Sequence, residues 1–342
     1  MLSRHPFVLN FILLVLALLA SLAIGAVFIP PASLLNLLTA NFPGLLNTQD
    51  VPETFRTILF SLRLPHTILM LLTGAALGAS GAAYQGLFQN PLADPYLIGV
   101  ASGAGLGAVL AMSYRWPATF LGFFAIPLAA FLGALGTVVV VYLLARTGTV
   151  VPTTTLILAG VAVGSFASAL TTFLMFRSDG EVRRALAWLL GSSTLSGWGP
   201  VVAGLPYLIV GIGLLLTSGH ALNVLQFGDE QAHQLGLPVD RAKTLVILAA
   251  TLTTAVAVSF TGIIGFIGLI VPHIVRIVWG PDYRRLIPLS LIGGATALLL
   301  ADLLARVLLA PQQLPVGVIT ALAGAPFFLW VLRRYQRSAG RL

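Results

Sequence analysis

The sequence predicts an all-α fold, a polytopic transmembrane helical bundle of about ten spans, and three observations carry that prediction: the composition, the recurrence of long apolar runs, and the placement of the few charges. Of 342 residues, 58% are hydrophobic and 8% are charged, with a mean hydropathy of +1.00. A soluble domain carries about 25% charged residues. A chain this long with so few cannot be covered against water, so lipid stands in as solvent and the backbone polar groups must close on themselves inside helices.

Apolar runs of spanning length fall at about 7–29, 62–83, 93–112, 119–145, 152–176, 188–217, 242–261, 263–279, 285–304 and 315–332. Short loops separate them, so residues 1–342 read as one transmembrane domain. The first run, Phe7 to Ile29, exceeds a signal-peptide core of about 7–15 residues and reads as a retained span. An even count puts both termini on one side. Arg4, Arg146, Arg241, Lys243, Arg276, Arg284, Arg285, Arg333, Arg334, Arg337 and Arg341 share that side, against Arg56, Arg63, Arg115, Arg177, Arg183, Arg184 and Arg306 opposite. The positive-inside bias makes the termini cytoplasmic, in a cytoplasmic (inner) membrane. The net charge of +8 is then membrane anchoring, and no nucleic-acid partner is expected.

Along the chain, Gly74 and Gly78, then Gly99, Gly103 and Gly107, then Gly160 and Gly164 recur at four-residue steps. Small faces of this kind let helices approach closely, whether for packing alone or to line a path. Two stretches interrupt the helical pattern in corresponding halves, Asn90 to Pro95 and Gly262 to Pro272. Each is either an ordinary turn or one of the paired breaks that mark transport routes. Between the sixth and seventh spans, residues 220–243 form the most amphipathic stretch. Phe227, Leu235 and Leu237 alternate there with Asp229, Glu230, Gln231 and Gln234. Gly228 precedes two acids suited to a helix N-terminus, and Gly236 with Pro238 ends the helix. This surface helix is either a loop ornament or a plug for a cytoplasmic partner.

Several chemistries are excluded or disfavoured. There is no cysteine, hence no disulfide and no thiolate site. The one lysine, Lys243, precedes Thr244, but Ala242 and Leu237 stand where a phosphate-cradling loop needs glycine. Any ATPase is a separate chain. The five histidines form no His-Glu-x-x-His helix, so no metal site and no catalytic residue are expected. Ion coupling needs a carboxylate at membrane depth. Asp302 alone qualifies, and Arg306 four residues on offers it a structural pair. A stand-alone ion-coupled secondary transporter and a membrane-embedded enzyme are readings that the residues so far leave open.

Together the ordered motifs resemble the permease family of ABC importers for iron-siderophores, haem and vitamin B12. They are Arg63-Leu64-Pro65, GAALGASGAAYQGLFQNPLADPYLIGVASGAGLGA at 74–108, LAGVAVG at 158–164, FGDEQAHQLGLPVDR at 227–241, GFIGLIVPHIVR at 265–276, ADLLAR at 301–306 and LPVGVITALAGAPFFLWVLRR at 314–334. The resemblance covers nearly the whole chain. It implies type II ABC importer permease architecture, a dimer (two copies of this chain favoured), two cytoplasmic ATPase subunits that bind ATP and Mg, an external substrate-binding protein, and no cofactor bound by this chain. It assigns Phe227, Gly228, Asp229, Glu230, Gln231, Ala232, Leu235 and Gly236 to ATPase coupling. Asn90, Leu92, Thr153 and Thr154 become gate or path residues, and Arg63 and Arg306 dock acids of the binding protein. The family continues Arg-Leu-Pro with Arg, whereas this chain has His66, which changes one expected docking contact.

Overall fold

The computed structural model describes residues 5–39, 51–114, 124–148, 150–177, 180–192, 197–310 and 312–339, without the side chains of 332 and 334–339. Arg4, Arg115, Arg341 and the side chains of Arg334 and Arg337 therefore lie outside the described residues. The helices are α1 (Pro6–Ala23), α2 (Pro31–Thr39), α3 (Glu53–Thr57), α4 (Leu64–Leu87), α5 (Val100–Ser113), α6 (Ala125–Ala145), α7 (Thr153–Arg177), α8 (Val182–Leu189), α9 (Gly199–Thr217), α10 (Gly219–Leu225), α11 (Asp229–Gln234), α12 (Val239–Thr261), α13 (Ile267–Trp279), α14 (Tyr283–Val307) and α15 (Val316–Ala339). A π-helical segment, Ile58–Arg63, joins α3 to α4, and a 3-10 turn, Pro95–Ile98, precedes α5.

Seven helical stretches among the described residues are long and apolar enough to cross a membrane: Pro6–Ala23, Glu53–Leu87, Ala125–Ala145, Thr153–Arg177, Gly199–Thr217, Val239–Thr261 and Tyr283–Val307. Val100–Ser113, Ile267–Trp279 and Val316–Val331 are shorter apolar helices. Together they answer the ten predicted runs one for one. The boundaries differ where glycine and proline intervene. The first helix stops at Ala23 rather than 29, ahead of Gly25 and Pro30. The third begins at Val100, after Pro95 and a Gly99 at φ +84°. The sixth run divides, because residues 188–189 close α8 and the long helix starts only at Gly199.

The bundle is organised on α4, in which every residue from Thr73 to Leu87 is buried. A helix buried on all sides must present small residues to several neighbours at once. Gly74 and Gly78 lie directly against the backbone of Ser290 and Gly294 on α14, and Gly81 against Gly268 on α13. Gly103 and Gly107 of α5 meet Gly133 and Ala129 of α6 in the same way, and Gly160 of α7 meets the Leu97 carbonyl. At Gly74, Gly78, Gly103, Gly107 and Gly160 the four-residue steps are thus packing faces at which backbone touches backbone, whereas Gly99 and Gly164 meet the side chains of Thr137 and Ser102. The outer faces of α6, α7 and α9 carry the opposite pattern. Leu132, Phe166, Ile209 and Phe176, the last 87% exposed, point away from the protein, and apolar surface of this extent suits hydrocarbon or another apolar chain.

Candidate functional site: coupling segment and paired chain breaks

At one end of the bundle, α9 passes into α10, whose Leu222 and Leu225 are fully buried. The chain then turns at Gly228 (φ +95°), forms α11, and turns again at Gly236 (φ +85°). Both glycines occupy the left-handed region that a side chain disfavours. Asp229 and Glu230 open α11, where carboxylates complement the unpaired N–H groups. Ala232 is completely buried. It anchors the helix to its own core, which corrects its expected place in a partner-facing surface. Phe227 and Leu235 are 64% and 66% exposed, two large apolar side chains beside exposed Glu230 and Gln231. Asp229 pairs with Lys243, whose side chain is buried at the start of α12.

This segment is tied to the central helices by side chains. Asn223 on α10 donates to the Asp282 carboxylate at 2.6 Å and accepts from the Tyr283 N–H at 2.9 Å, joining α10 to the first turn of α14. Gln226 donates to the Gly86 carbonyl near the end of α4 at 3.0 Å, and Gln89 donates back to the Leu225 carbonyl. Asp282 is also the N-cap of α14, accepting from the Arg284 N–H at 3.0 Å.

The Arg284 guanidinium and then Asn223 hold the Asp282 carboxyl well below the usual carboxylate range. A depressed folded-state value stabilises the protein above the unfolded value of about 3.9 and is lost as pH falls toward the folded one. Asp282→Ala is therefore expected to cost about 1 kcal/mol, the worth of an N-cap, since a side chain 38% exposed is largely screened by water. The gap in melting temperature between wild type and variant should be constant from pH 5 to 8 and shrink below about pH 4.

The two interruptions pack on each other. In the first, Asn90 accepts from the Leu92 N–H at 2.9 Å, and Asp94 caps the 3-10 turn through the Tyr96 N–H at 2.8 Å. The Tyr96 hydroxyl donates to the Ile264 carbonyl at 2.8 Å and accepts from the Ile264 N–H at 3.3 Å. Pro95 lies against Gly268. Irregular backbone inside a membrane bundle must find such partners, and one tyrosine supplies both. Gln89 (φ 50°) and Phe266 (φ 69°) are the non-glycine residues of positive φ among the described ones. Gln89 directly precedes the first break, and Phe266 lies within the second, just ahead of α13. Thr153 and Thr154 open α7, about two turns before the Gly160 contact with Leu97.

At the opposite end, α1 terminates against basic side chains. Its last carbonyls have no partner within the helix. Ala20 receives the Ile24 N–H, Ser21 receives Arg306 at 3.3 Å, Leu22 and Ala23 receive Arg63 at 2.9 and 3.1 Å, and Ala23 also receives the Ile29 N–H. Arg63 reaches the Val27 carbonyl as well. Asp302, almost wholly buried, bridges His66 at 2.9 Å and Arg306 at 2.9 Å. The expected i,i+4 pair is present, and His66 adds to it. The three residues assigned to docking thus converge, yet Arg63 is buried and the Arg306 side chain nearly so, each engaged within its own chain. His66 is the most open, with its side chain 29% exposed.

Sequence reasoning did not find Asn223, Asp282, Tyr96 or Gln226. Asp282 alone left a local signal, an acid one residue ahead of a helix.

Comparison with known proteins agrees with this architecture. The model of the FecCD transport family matches residues 13–334. An ABC transporter permease of Bacillus subtilis is 38% identical over 98% of this chain and 95% of its own. The cobalamin import system permease of Halobacterium salinarum is 47% identical over 83% of this chain and 75% of its own, and the hemin transport system permease of Yersinia pestis is 38% identical over 96% and 95%. A solved chain described as belonging to a metal-chelate type ABC transporter, in an inward-facing conformation, superposes with a TM-score of 0.80 at 29% identity, covering 97% of this chain and 99% of that one.

Proposed function

The chain belongs to the FecCD transport family and is a permease subunit of an ABC importer, and from that membership we propose that it moves a metal chelate of the cobalamin, haem or iron-siderophore class into the cell by alternating access between two permease copies. The observation that carries this reading is the α10–α11 segment. It offers Phe227 and Leu235 outward and is tied by Asn223, Gln226 and Gln89 to the ends of α14 and α4. A surface built that way passes a push from a partner to the central helices.

In this reading the partner is a pair of cytoplasmic ATPase subunits that hold ATP and Mg, so the α11 end and both termini face the cytoplasm. Phe227, Gly228, Asp229, Glu230, Gln231, Leu235 and Gly236 form the coupling surface. Asn90, Leu92, Thr153 and Thr154 border the path. One chain carries the family's motifs along nearly its whole length, His66 apart, which supports two identical copies. An external binding protein meets the end that carries His66, Arg63 and Arg306. Docking acids there exchange for Asp302 and the α1 carbonyls, and electrostatic pairs of this kind suit reversible contact. Specificity resides in the binding protein, since the helices offer few polar groups to read a cargo.

The test is uptake by proteoliposomes carrying this chain with its ATPase and binding protein, with cyanocobalamin and haemin as cargoes. Accumulation should require ATP and survive ionophores that collapse proton and sodium gradients. Accumulation by the permease alone, driven by an ion gradient and lost on Asp302→Asn, would establish the stand-alone transporter instead.

A further inference from the structure

We propose that Gln89 is a positioning residue that latches the coupling segment to the first chain break. The inference rests on the ABC permease reading above and goes beyond it by naming the link through which the partner's movement reaches the path. The α4 helix ends in a Schellman motif: the Asn90 N–H bonds the Gln85 carbonyl at 3.1 Å and the Gln89 N–H bonds the Gly86 carbonyl at 3.2 Å. This motif places its next residue in the left-handed region, where glycine is the usual occupant because it has no side chain to strain. Gln89 stands there instead, at φ 50°.

The side chain that glycine would lack is in use. It donates to the Leu225 carbonyl at the end of α10, while Gln226, the next residue of that segment, donates to the Gly86 carbonyl of α4. The two glutamines cross between the same two chain ends, each holding the other's backbone. Gln89 is exposed, so packing does not require it. Asn90 and Leu92, the start of the break, follow directly. Displacing α10 must therefore pull on the break through the bond that Gln89 makes, and strained residues that persist at such junctions mark places where position matters more than local stability.

The chain has no cysteine, so a single Leu92→Cys, read on the permease chain after it is separated from the ATPase, reports on the break without background. The complex with the ATPase is labelled with maleimide in the presence and absence of ATP, in backgrounds carrying Gln89, Gln89→Gly, Gln89→Glu and Gln89→Lys. Glycine suits the backbone and deletes the bond. Glutamate keeps the shape but cannot donate, and lysine restores a donor. With Gln89, ATP should change the labelling rate. Gly and Glu should cut that change about five-fold, the equilibrium weight of one hydrogen bond, with ATPase capture held in both and melting temperature held in Gly, where relief of the left-handed backbone offsets the lost bond, and Lys should retain most of it.

An undiminished response in both Gly and Glu overturns the proposal. So does a loss that comes with a lower melting temperature in Gln89→Gly, because the role is then structural. A Gln89 complex that captures its ATPase and shows no response to ATP also overturns it, since there is no signal to pass. Failure of the wild-type chain to capture any ATPase is scored separately, before the variants are compared. It sinks the permease reading and this proposal with it.

Discussion

Replacing Gly81 with valine is expected to abolish the folded protein. Gly81 lies in the fully buried part of α4, directly against the carbonyl of Gly268 on α13. A β-carbon at that position would occupy the space of a backbone oxygen, and no side chain stands between to move aside. Gly268 is itself held by Pro95 and by the Leu77 carbonyl, so α13 cannot retreat without lifting the two chain breaks apart. Overpacking a side chain costs about 1–3 kcal/mol. Separating two backbones across a central helix costs more, against a total stability of about 5–15 kcal/mol. Gly81→Val should elute as aggregate in detergent, and Gly81→Ala, whose β-carbon meets the same backbone oxygen, should be severely destabilised as well. Gly136→Val on α6, where an added carbon meets nothing within 4 Å, should behave as wild type. A well-folded Gly81→Val protein would show that the α4–α13 approach is not as close as described.

The features legible in the sequence are those written in local periodicity. Apolar runs at spanning length announced the ten helices, and glycines four residues apart announced faces that meet backbone to backbone at most of those positions. Gly228 and Gly236 bracketed α11 because each sits where only a residue without a β-carbon is relaxed. Asp302 and Arg306 announced their pair by a spacing of four. What stayed hidden depends on contacts across the chain. Tyr96 and Ile264 are 168 positions apart, and nothing near either one tells of the other. Arg63 reads as an exposed arginine at the start of a span. It is instead drawn inward by carbonyls of α1, because a helix that ends inside the protein must have its last acceptors satisfied. His66 reads as a replaced docking arginine, and its bond to Asp302, 236 positions away, has no sequence signature. The first helix end was misplaced for a local reason: hydropathy continues through Ile24 to Ile29, whereas Gly25 and Pro30 accompany an earlier stop at Ala23.

The geometry also changes how the coupling surface is best probed. Asp229 holds the buried Lys243, so reversing its charge strands a cation as well as altering the surface, and a loss of partner binding would not be attributable. Phe227 and Leu235 are more suitable. Both are largely exposed, and they flank α11 next to Gly228 and Gly236. Large apolar anchors at the centre of an interface are worth about 2 kcal/mol or more apiece, so replacing both with aspartate is expected to weaken ATPase binding about a thousand-fold while leaving the fold intact.

Capture of the partner ATPase by purified protein, wild type against the Phe227→Asp, Leu235→Asp double variant, is therefore the measurement that tests the central claim most directly. The account predicts a stable complex with the wild type and none with the variant, at equal melting temperature and equal monodispersity. Equal capture by both, or no ATPase captured by well-folded wild type, would contradict the claim that this chain is driven through its α10–α11 segment.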